Sequence, residues 1–577
     1  MADITAPEYI SPYVVTTSGG LVLDRDVYTM PVGAASILQN FEPSVRGGYR
    51  RLSGTAKFSA TQVGSSSSTI LGVAVFNNGV VAAQSTNVYF GTGSSWTSID
   101  SSRTDAGRYR FEKYNFTTNE ERLIFADGTN SPSMYNGTTV MDIKGATTIS
   151  TTGSASSGAT ALTGLASAAG VVAGMYIGGT NIGSGARVSS ISGTTVTMSV
   201  ATTGAISGGA VTFAGLGIAP TNPSMVTAFK NHMFYAGMSA EPNTVVFSAI
   251  GDENDFTASN GAGSLNVDST IIALKSFRGE LIIFCEDRIY KLAGNALADF
   301  AIAPISRNVG CSDAFSIQEI GGDVIFLAPD GLRTIAGTAR IGDVELGTVS
   351  KQIQARISDI GFTNISSVVI RDKSQYRLFY PSGGLETAEK GIIGVLKSNP
   401  SGQIGWEYSD IRGIKPSCCD SGFISGVEKV VHGGFDGYVY LQESGNTFNG
   451  TAMKAIYRSP DLTMGDAGIR KSMQRINVNY DPEGSVGASL FVKYDFEDAG
   501  TPQPSAYTLS TADTAAVYDN AGTLYDSAVY DAEGMPIVRQ SVEGSGFTVV
   551  IRLEDESSNP PITLKGFELE FTPGARM

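Results

Sequence analysis

A chain of 577 residues with 42% hydrophobic content is long enough for several domains and holds enough apolar material for sizeable cores, which excludes wholesale disorder. Its 69 glycines follow no three-residue period, so a collagen-like helix is excluded as well. The net charge of −15 argues against a surface that grips phosphate backbones throughout; it reads first as solubility, and as a wall along which a polyanion slides only as the alternative.

Met1 to Pro7 has neither the basic nor the apolar region of a secretory signal. The most apolar stretch, Leu165 to Gly179, is built of Gly, Ala and Ser and falls short of the ~20 residues of a membrane span. The cysteines, Cys285, Cys311, Cys418 and Cys419, contain no CxxC pair and read as free thiols in a reducing compartment. The expectation is a soluble chain made in a cytoplasm, without stable membrane insertion.

Helical periodicity is nearly absent; only Lys351 to Ile357 offers a turn or two. Elsewhere, runs of four to seven β-branched and aromatic residues end at Gly, Asn, Asp or Ser, the pattern of antiparallel strands. The class is all-β.

A hairpin pattern recurs along the chain. Leu71 to Phe76 meets Asn78-Gly79, Leu123 to Phe125 meets Asp127-Gly128, and His232 to Tyr235 meets Gly237. Leu281 to Phe284 meets Glu286-Asp287, Val324 to Leu327 meets Asp330-Gly331, and Tyr376 to Tyr380 meets Gly383-Gly384. The last, Val430 to His432, leads to Asp436-Gly437. Asn-Gly and Asp-Gly pairs suit the positive φ angles of type I′ turns.

Anchors at Gly79, Gly128, Gly237, Asp287, Gly331, Gly384 and Gly437 lie 44 to 53 residues apart, except for one gap of 109. That gap contains residues 145–216, nearly free of charge and rich in Ala, Gly, Ser and Thr, whose removal leaves 37. Propeller blades repeat every ~40–50 residues. The spacing predicts an irregular β-propeller of about seven blades at 59–144 and 217–450. Residues 1–58 then join it to a platform, and 145–216 is an inserted small β-domain with a hairpin over Val188 to Met198.

After residue 450 longer alternating strands appear, among them Met473 to Tyr480, Leu490 to Tyr494 and Phe547 to Leu553. They predict a separate C-terminal antiparallel β-sandwich over 451–577. Within it, Val517-Tyr518-Asp519, Leu524-Tyr525-Asp526 and Val529-Tyr530-Asp531 read either as an arm presenting tyrosines to a partner or as a long solvated hairpin.

Catalytic signatures are missing. The two histidines, His232 and His432, lie among apolar strand residues and read as structural. There is no zinc spacing, nucleophile elbow or phosphate loop, and Gly261 to Ser264 and Gly91 to Ser94 lack a strand-then-helix setting. Asp252-Glu253-Asn254-Asp255 has the residue types of a calcium site or a glycosidase acid/base pair. Without spaced ligands it reads as a solvated turn. Cys418-Cys419 reads as a buried structural pair rather than a redox pair. No catalytic, cofactor-binding or metal-binding residue is assigned, no cofactor is expected, and the chain reads as a non-enzyme.

The opening is the most telling segment. It runs Gly19-Gly20-Leu21, Pro31-Val32-Gly33-Ala34-Ala35, Leu38-Gln39-Asn40-Phe41-Glu42-Pro43, then Arg46-Gly47-Gly48-Tyr49-Arg50-Arg51-Leu52-Ser53-Gly54. Collinear with it follow Asn243 to Ala249 with Asp255-Phe256, Ile289 to Gly294, Val309-Gly310-Cys311, Ala328 to Gly331, Tyr457 to Leu462 and Phe571 to Arg576. This set resembles the tail nozzle, or tail tubular, proteins of short-tailed bacteriophages, and the resemblance extends over most of the chain. The insertion at 145–216 departs from the family's simplest pattern.

The resemblance implies a structural virion protein of the phage tail, made in the host bacterial cytoplasm. Such a protein forms a homohexameric ring below the portal-proximal tail adaptor protein, makes the channel for DNA ejection, and gives fibres or spikes a platform. Genomic DNA would pass without sequence-specific binding. Two rival classes stay open: a receptor-binding or glycan-degrading tail protein, and a protein-binding β-propeller scaffold. The first predicts a cleft with separated carboxylates and aromatics, whereas the only tryptophans are Trp96 and Trp406. The second predicts regular blade signatures.

Overall fold

The structure is a computed structural model and describes residues 11–26, 28–101, 103–105, 107–116, 120–143, 149–214, 219–336, 348–382, 385, 387–398, 404–511 and 537–576. The apolar runs bounded by turn residues form strands along the whole described chain, and the fold is all-β. The short helical stretch is a 3-10 turn, Lys351–Ile353, continued by Gln354–Ile357.

Among the described residues seven sheets follow in chain order, antiparallel but for one pairing in sheet 6. Sheet 1 joins Ile70–Phe76, Gly79–Gln84, Asn87–Gly91 and Trp96–Asp100. Sheet 2 joins Arg110–Tyr114, Arg122–Ala126, Ser133–Tyr135 and Val140–Asp142. Sheet 3 joins Met225–Phe229, His232–Ala236, Thr244–Phe247 and Gly263–Asn266. Sheet 4 joins Ile271–Phe277, Glu280–Cys285, Ile289–Ala293 and Ala301–Ser306. Sheet 5 has Gln318–Ile320, Asp323–Ala328 and Gly331–Thr334 among the described residues. Sheet 6 begins with Ser366–Ile370, Gln375–Tyr380, Lys390–Ser398 and Ile404–Arg412. Sheet 7 takes Cys418–Ile424, Val427–Gly433 and Val439–Gln442 from late in the chain and Thr55–Lys57 from its beginning.

Each sheet is apolar on both faces and packs on the next. Phe76 and Val81 meet Phe125 between sheets 1 and 2, Tyr114 and Met134 meet Tyr235 between sheets 2 and 3, and Phe247 meets Ile283 between sheets 3 and 4. Phe284 of sheet 4 lies 5.2 Å from Phe326 of sheet 5, ring centre to ring centre. Val368 and Phe379 of sheet 6 share a cluster with Val430 of sheet 7, and Val431 and Val439 of sheet 7 share one with Val73 and Val80 of sheet 1.

Two turns differ from their sequence reading. In sheet 1 the left-handed residues are Asn77 and Asn78, and Gly79 already pairs with Phe76, so the I′-like turn sits one residue earlier. Asp127-Gly128 does not close a two-residue hairpin, because the next strand starts at Ser133. The Asp127 carboxylate instead accepts from the Thr129 and Asn130 amides, which shapes a wider loop. Gly383-Gly384 and the Tyr-Asp tract at 517–531 lie outside the described residues.

Residues 149–214 form two three-stranded sheets. One holds Ile149–Ala155, Ile206–Ala214 and Tyr176–Gly179; the other holds Ala161–Leu162, Thr195–Met198 and Val188–Ser192. They close on a core of their own, with Leu162, Met175, Val196 and Phe213 at its centre. The Val188 to Met198 hairpin is present.

The boundary at 451 is corrected, since the C-terminal part is not a separate sandwich. Sheet 6 continues through Ile37–Gln39, which pairs with Ile404–Arg412 on one side and Ala455–Arg458 on the other, then on to Val549–Asp555, Val486–Tyr494 and Tyr507–Thr511. A second sheet packs over it, built on Ile469–Pro482 and Ile562–Arg576, with Ser11–Thr16, Phe41–Pro43 and Tyr49–Arg51 from the N-terminal segment. The core between them mixes Val15, Leu38, Phe41 and Tyr49 with Tyr457, Ile476, Leu490 and Leu569. Full burial of one such side chain contributes about 1.5–3 kcal/mol, so the N-terminal segment is held firmly.

Candidate functional site

The leading strands of all seven sheets line one cavity of about 350 Å³. Its wall includes Val73 of sheet 1, Arg110, Glu112 and Lys113 of sheet 2, Val226 of sheet 3, Lys275 of sheet 4, Gln318 of sheet 5, Ser367 of sheet 6 and Asp420 of sheet 7. A first strand presents its backbone edge and its side chains to the centre, which is why one residue set per sheet converges there. At ~30 Å³ per water, the space holds about a dozen water molecules.

Both carboxylates in this wall are satisfied by neutral donors. Asp420 accepts from the Val75 amide at 2.7 Å, and Glu112 from the Thr227 hydroxyl at 3.3 Å and the Ala228 amide at 3.4 Å. Burial raises both carboxyls above their ordinary range, with Lys275 opposing the shift at Glu112 and Lys113 opposing it at Asp420. The Arg108 and Arg110 guanidiniums lie over the Phe315 ring, 3.6 and 4.0 Å from its centre. Arg108 also donates to the Ser417 carbonyl at 2.8 Å.

The acidic turn is corrected. Glu253 is only 5% exposed and Asp255 only 2%, so this is no solvated turn. It is the seat of the inserted unit. Arg187 pairs with Asp252, Asn254 donates to the Ala173 carbonyl at 2.9 Å, and Glu253 holds Arg122 of sheet 2 at 2.8 Å. Asp255 accepts from the Thr257 amide and from Asn260. Among the described residues no group of three or more His, Cys, Asp or Glu side chains is placed to hold a metal ion.

The other singled-out residues are packed into cores. His232 is buried, with Nδ1 2.6 Å from the Ser248 carbonyl and Phe234, Phe247 and Phe300 around its ring. His432 stacks on Tyr440 at 5.1 Å, and burial pushes its imidazole down to about 3. All four cysteines are free, and burial pushes Cys285 and Cys311 up to about 12, so their thiols stay protonated at neutral pH. Trp96 belongs to sheet 1 and Trp406 to sheet 6.

The N-terminal residues that carried the phage-tail resemblance cluster at one seam. Gly20 has φ +67°, and a Cβ there would stand 2.7 Å from the Tyr408 amide nitrogen, so only glycine fits. Asn40 donates to the Lys454 carbonyl and accepts from the Arg412 amide, both at 2.8 Å. Arg51, sealed from solvent, faces Asp555 at 3.5 Å and donates to the Ser557 and Asn559 carbonyls. Glu42 gathers Arg50, Lys373, Arg377 and Gln375, while Glu443 pairs with Lys373 and Arg377. This network ties the N-terminal segment to sheet 6 and to the end of sheet 7.

Sequence reasoning missed the cavity cations and this ionic knot. A signal for the first was present: Arg108-Tyr109-Arg110-Phe111-Glu112-Lys113 packs four charges into six residues of a chain that is 16% charged.

No protein-family model matches this chain, and no curated protein matches it. Among solved structures, the computationally designed Ika8 protein aligns with 67% of this chain and 99% of its own, at 11% identity and a TM-score of 0.32. An exo-β-1,3-galactanase from Phanerochaete chrysosporium aligns with 90% of this chain and 100% of its own, at 10% identity and a TM-score of 0.25. Hsv2p from Kluyveromyces lactis aligns with 59% of this chain and 97% of its own, at 10% identity and a TM-score of 0.26. Likeness at these scores assigns neither an activity nor a partner.

Proposed function

We propose that this chain is a structural subunit of a short phage tail, one copy of a hexameric ring at its distal end that forms the DNA exit channel and carries other tail parts. The reading takes the seven sheets as blades of one irregular propeller, with Thr55–Lys57 completing the last blade. Packing of sheet 7 on sheet 1 and the shared central cavity support that reading.

The observation that carries the proposal is the collinear set of resembling residues, whose N-terminal members sit in the buried seam between sheet 6, sheet 7 and the C-terminal sheets. Gly20, Asn40 and Arg51 are placed by backbone contacts that few other residues satisfy. Two further features support a ring. A cavity of about 350 Å³ is far too small for a duplex, so any DNA path runs between copies rather than through one. Closed rings need two different surface patches per copy, and exposed apolar groups occur at separate places: Phe423 and Val427 on one hairpin, Tyr28 against Phe496 elsewhere. On this reading the protein has no catalytic role, and its partners are the tail adaptor, fibres or spikes, and the passing genome.

Light scattering of the purified chain, followed by negative-stain imaging alone and with the adaptor, tests this. The expected result is a ring with a central opening, formed alone or on adding the adaptor. A stable monomer that cleaves or binds a polysaccharide and joins no tail overturns it in favour of the receptor-binding class.

A further inference from the structure

Three cations in the central cavity have no counter-charge in contact. Arg110 and Lys113 of sheet 2 and Lys275 of sheet 4 all line it, and among the described residues none of their side chains makes a hydrogen bond or an ion pair. The fourth cation of the wall, Arg371, is neutralised by Glu428 at 2.9 Å. The two carboxylates, Glu112 and Asp420, are already engaged by amide and hydroxyl donors. Arg110 Nη2 is buried with no acceptor, which is costly for a charged donor.

Four cations and two carboxylates line the cavity, the reverse of the balance in a chain of net charge −15, and Asp313 outside the lining acts on Arg110 without a hydrogen bond. Phe315 offsets part of the cost for Arg110 through its ring face, but an aromatic ring accepts no strong hydrogen bond. Burial lowers Arg110 to about 10, which still leaves it fully charged at neutral pH. Water fits the space but brings no negative charge to the unpartnered Arg110 Nη2.

We propose that the central cavity is a binding site for a small oxyanion of the phosphate class, held by Arg110, Lys113 and Lys275. The volume accommodates one such ion with several waters and excludes a polynucleotide chain. A bound anion would bridge sheets 2 and 4 across the centre and stabilise the folded chain by mass action. Inorganic phosphate and the phosphodiester of nucleic acid share this chemistry, and the size of the cavity favours the former.

The test is calorimetric titration of the full chain with inorganic phosphate, with sodium chloride at matched ionic strength as the reference, alongside thermal unfolding in both. Saturable binding and a rise in Tm specific to phosphate are expected. Lys275→Met should weaken binding by about tenfold or more, and Lys275→Arg should keep it within a few-fold. A short single-stranded oligonucleotide should not compete. No heat and equal Tm in the two salts overturn the proposal for the wild-type chain, whatever the variants do. Undiminished phosphate affinity in a folded Lys275→Met chain, or displacement of phosphate by the oligonucleotide, overturns it too.

Discussion

Glu42 of the N-terminal segment and Arg377 of sheet 6 stand 3.3 Å apart with side chains 3% and 1% exposed, a buried ion pair between remote parts of the chain. Arg377 also donates to Gln375 at 2.6 Å and Gln442 at 2.9 Å and pairs with Glu443, so its guanidinium is fully engaged. Removing one member of such a group leaves buried charge behind, at a cost of about 3–5 kcal/mol. Glu42→Ala is therefore expected to lower the unfolding free energy measured by urea titration by an amount in that range, and Glu42→Gln by less. A change below ~1 kcal/mol for Glu42→Ala would show that the remaining Glu443 suffices.

Acid sensitivity has two origins. His432 is held at about 3 by burial, against an ordinary value near 6.5. Below pH 6.5 the unfolded chain takes up a proton that the folded chain refuses, so stability falls as pH drops, by about 1.4 kcal/mol per unit, until about pH 3. Glu443, pulled down to about 2 by Arg377 and Lys373 against the cost of burial, adds stability above its ordinary range that is lost as pH falls from about 4.5 towards 2. Between pH 6.5 and 4.5 His432 contributes a falling stability and Glu443 does not, while the raised carboxyls of Glu112 and Asp420 work in the opposite direction. His432→Phe, which keeps the stacking on Tyr440, should flatten the stability profile in that interval; an unchanged slope refutes the assignment.

The inserted unit hangs on few polar contacts. Arg187→Ala removes the pair with Asp252 and leaves Asn254 to hold the Ala173 carbonyl. Both side chains of the pair are partly exposed, so the effect on global stability should stay within about 1 kcal/mol. Hydrogen exchange is the sensitive readout. Faster exchange is expected at the Asp252 to Asp255 turn, with protection inside 149–214 retained by its own core.

If copies associate through the sheet 7 hairpin, Phe423→Glu with Val427→Glu should convert rings to monomers. Both residues are 56% exposed, so the monomer should keep its Tm. Light scattering of the double variant decides this, and rings of undiminished mass would send the interface elsewhere.

Local features of the fold are legible in the sequence, and remote ones are not. Leu281 to Phe284 turns at Glu286-Asp287 as read and pairs with Ile289 to Leu292, because a hairpin needs only its own pattern and turn. Ile37–Gln39 and Thr55–Lys57, three residues each, are too short to show alternation, yet one fuses sheet 6 to the C-terminal strands and the other completes sheet 7. The acidic turn looked solvated because a run of carboxylates carries no mark of the Arg122 and Arg187 that meet it. The cavity was hidden for a related reason: Arg110 and Lys275 stand on different sheets, and only the convergence of leading strands brings them together.

The pairing of Thr55–Lys57 with Tyr440–Gln442, and of Ser11–Thr16 with Gly566 to Phe571, gives synthesis a checkpoint. Thr55–Lys57 leaves the ribosome without this partner until residue 442 has been read, and Ser11–Thr16 until residue 571. A product cut short keeps open strand edges, which aggregate or attract proteases. Long-range pairing of this kind slows folding. In return, a chain that reaches this fold is one translated at least to residue 571.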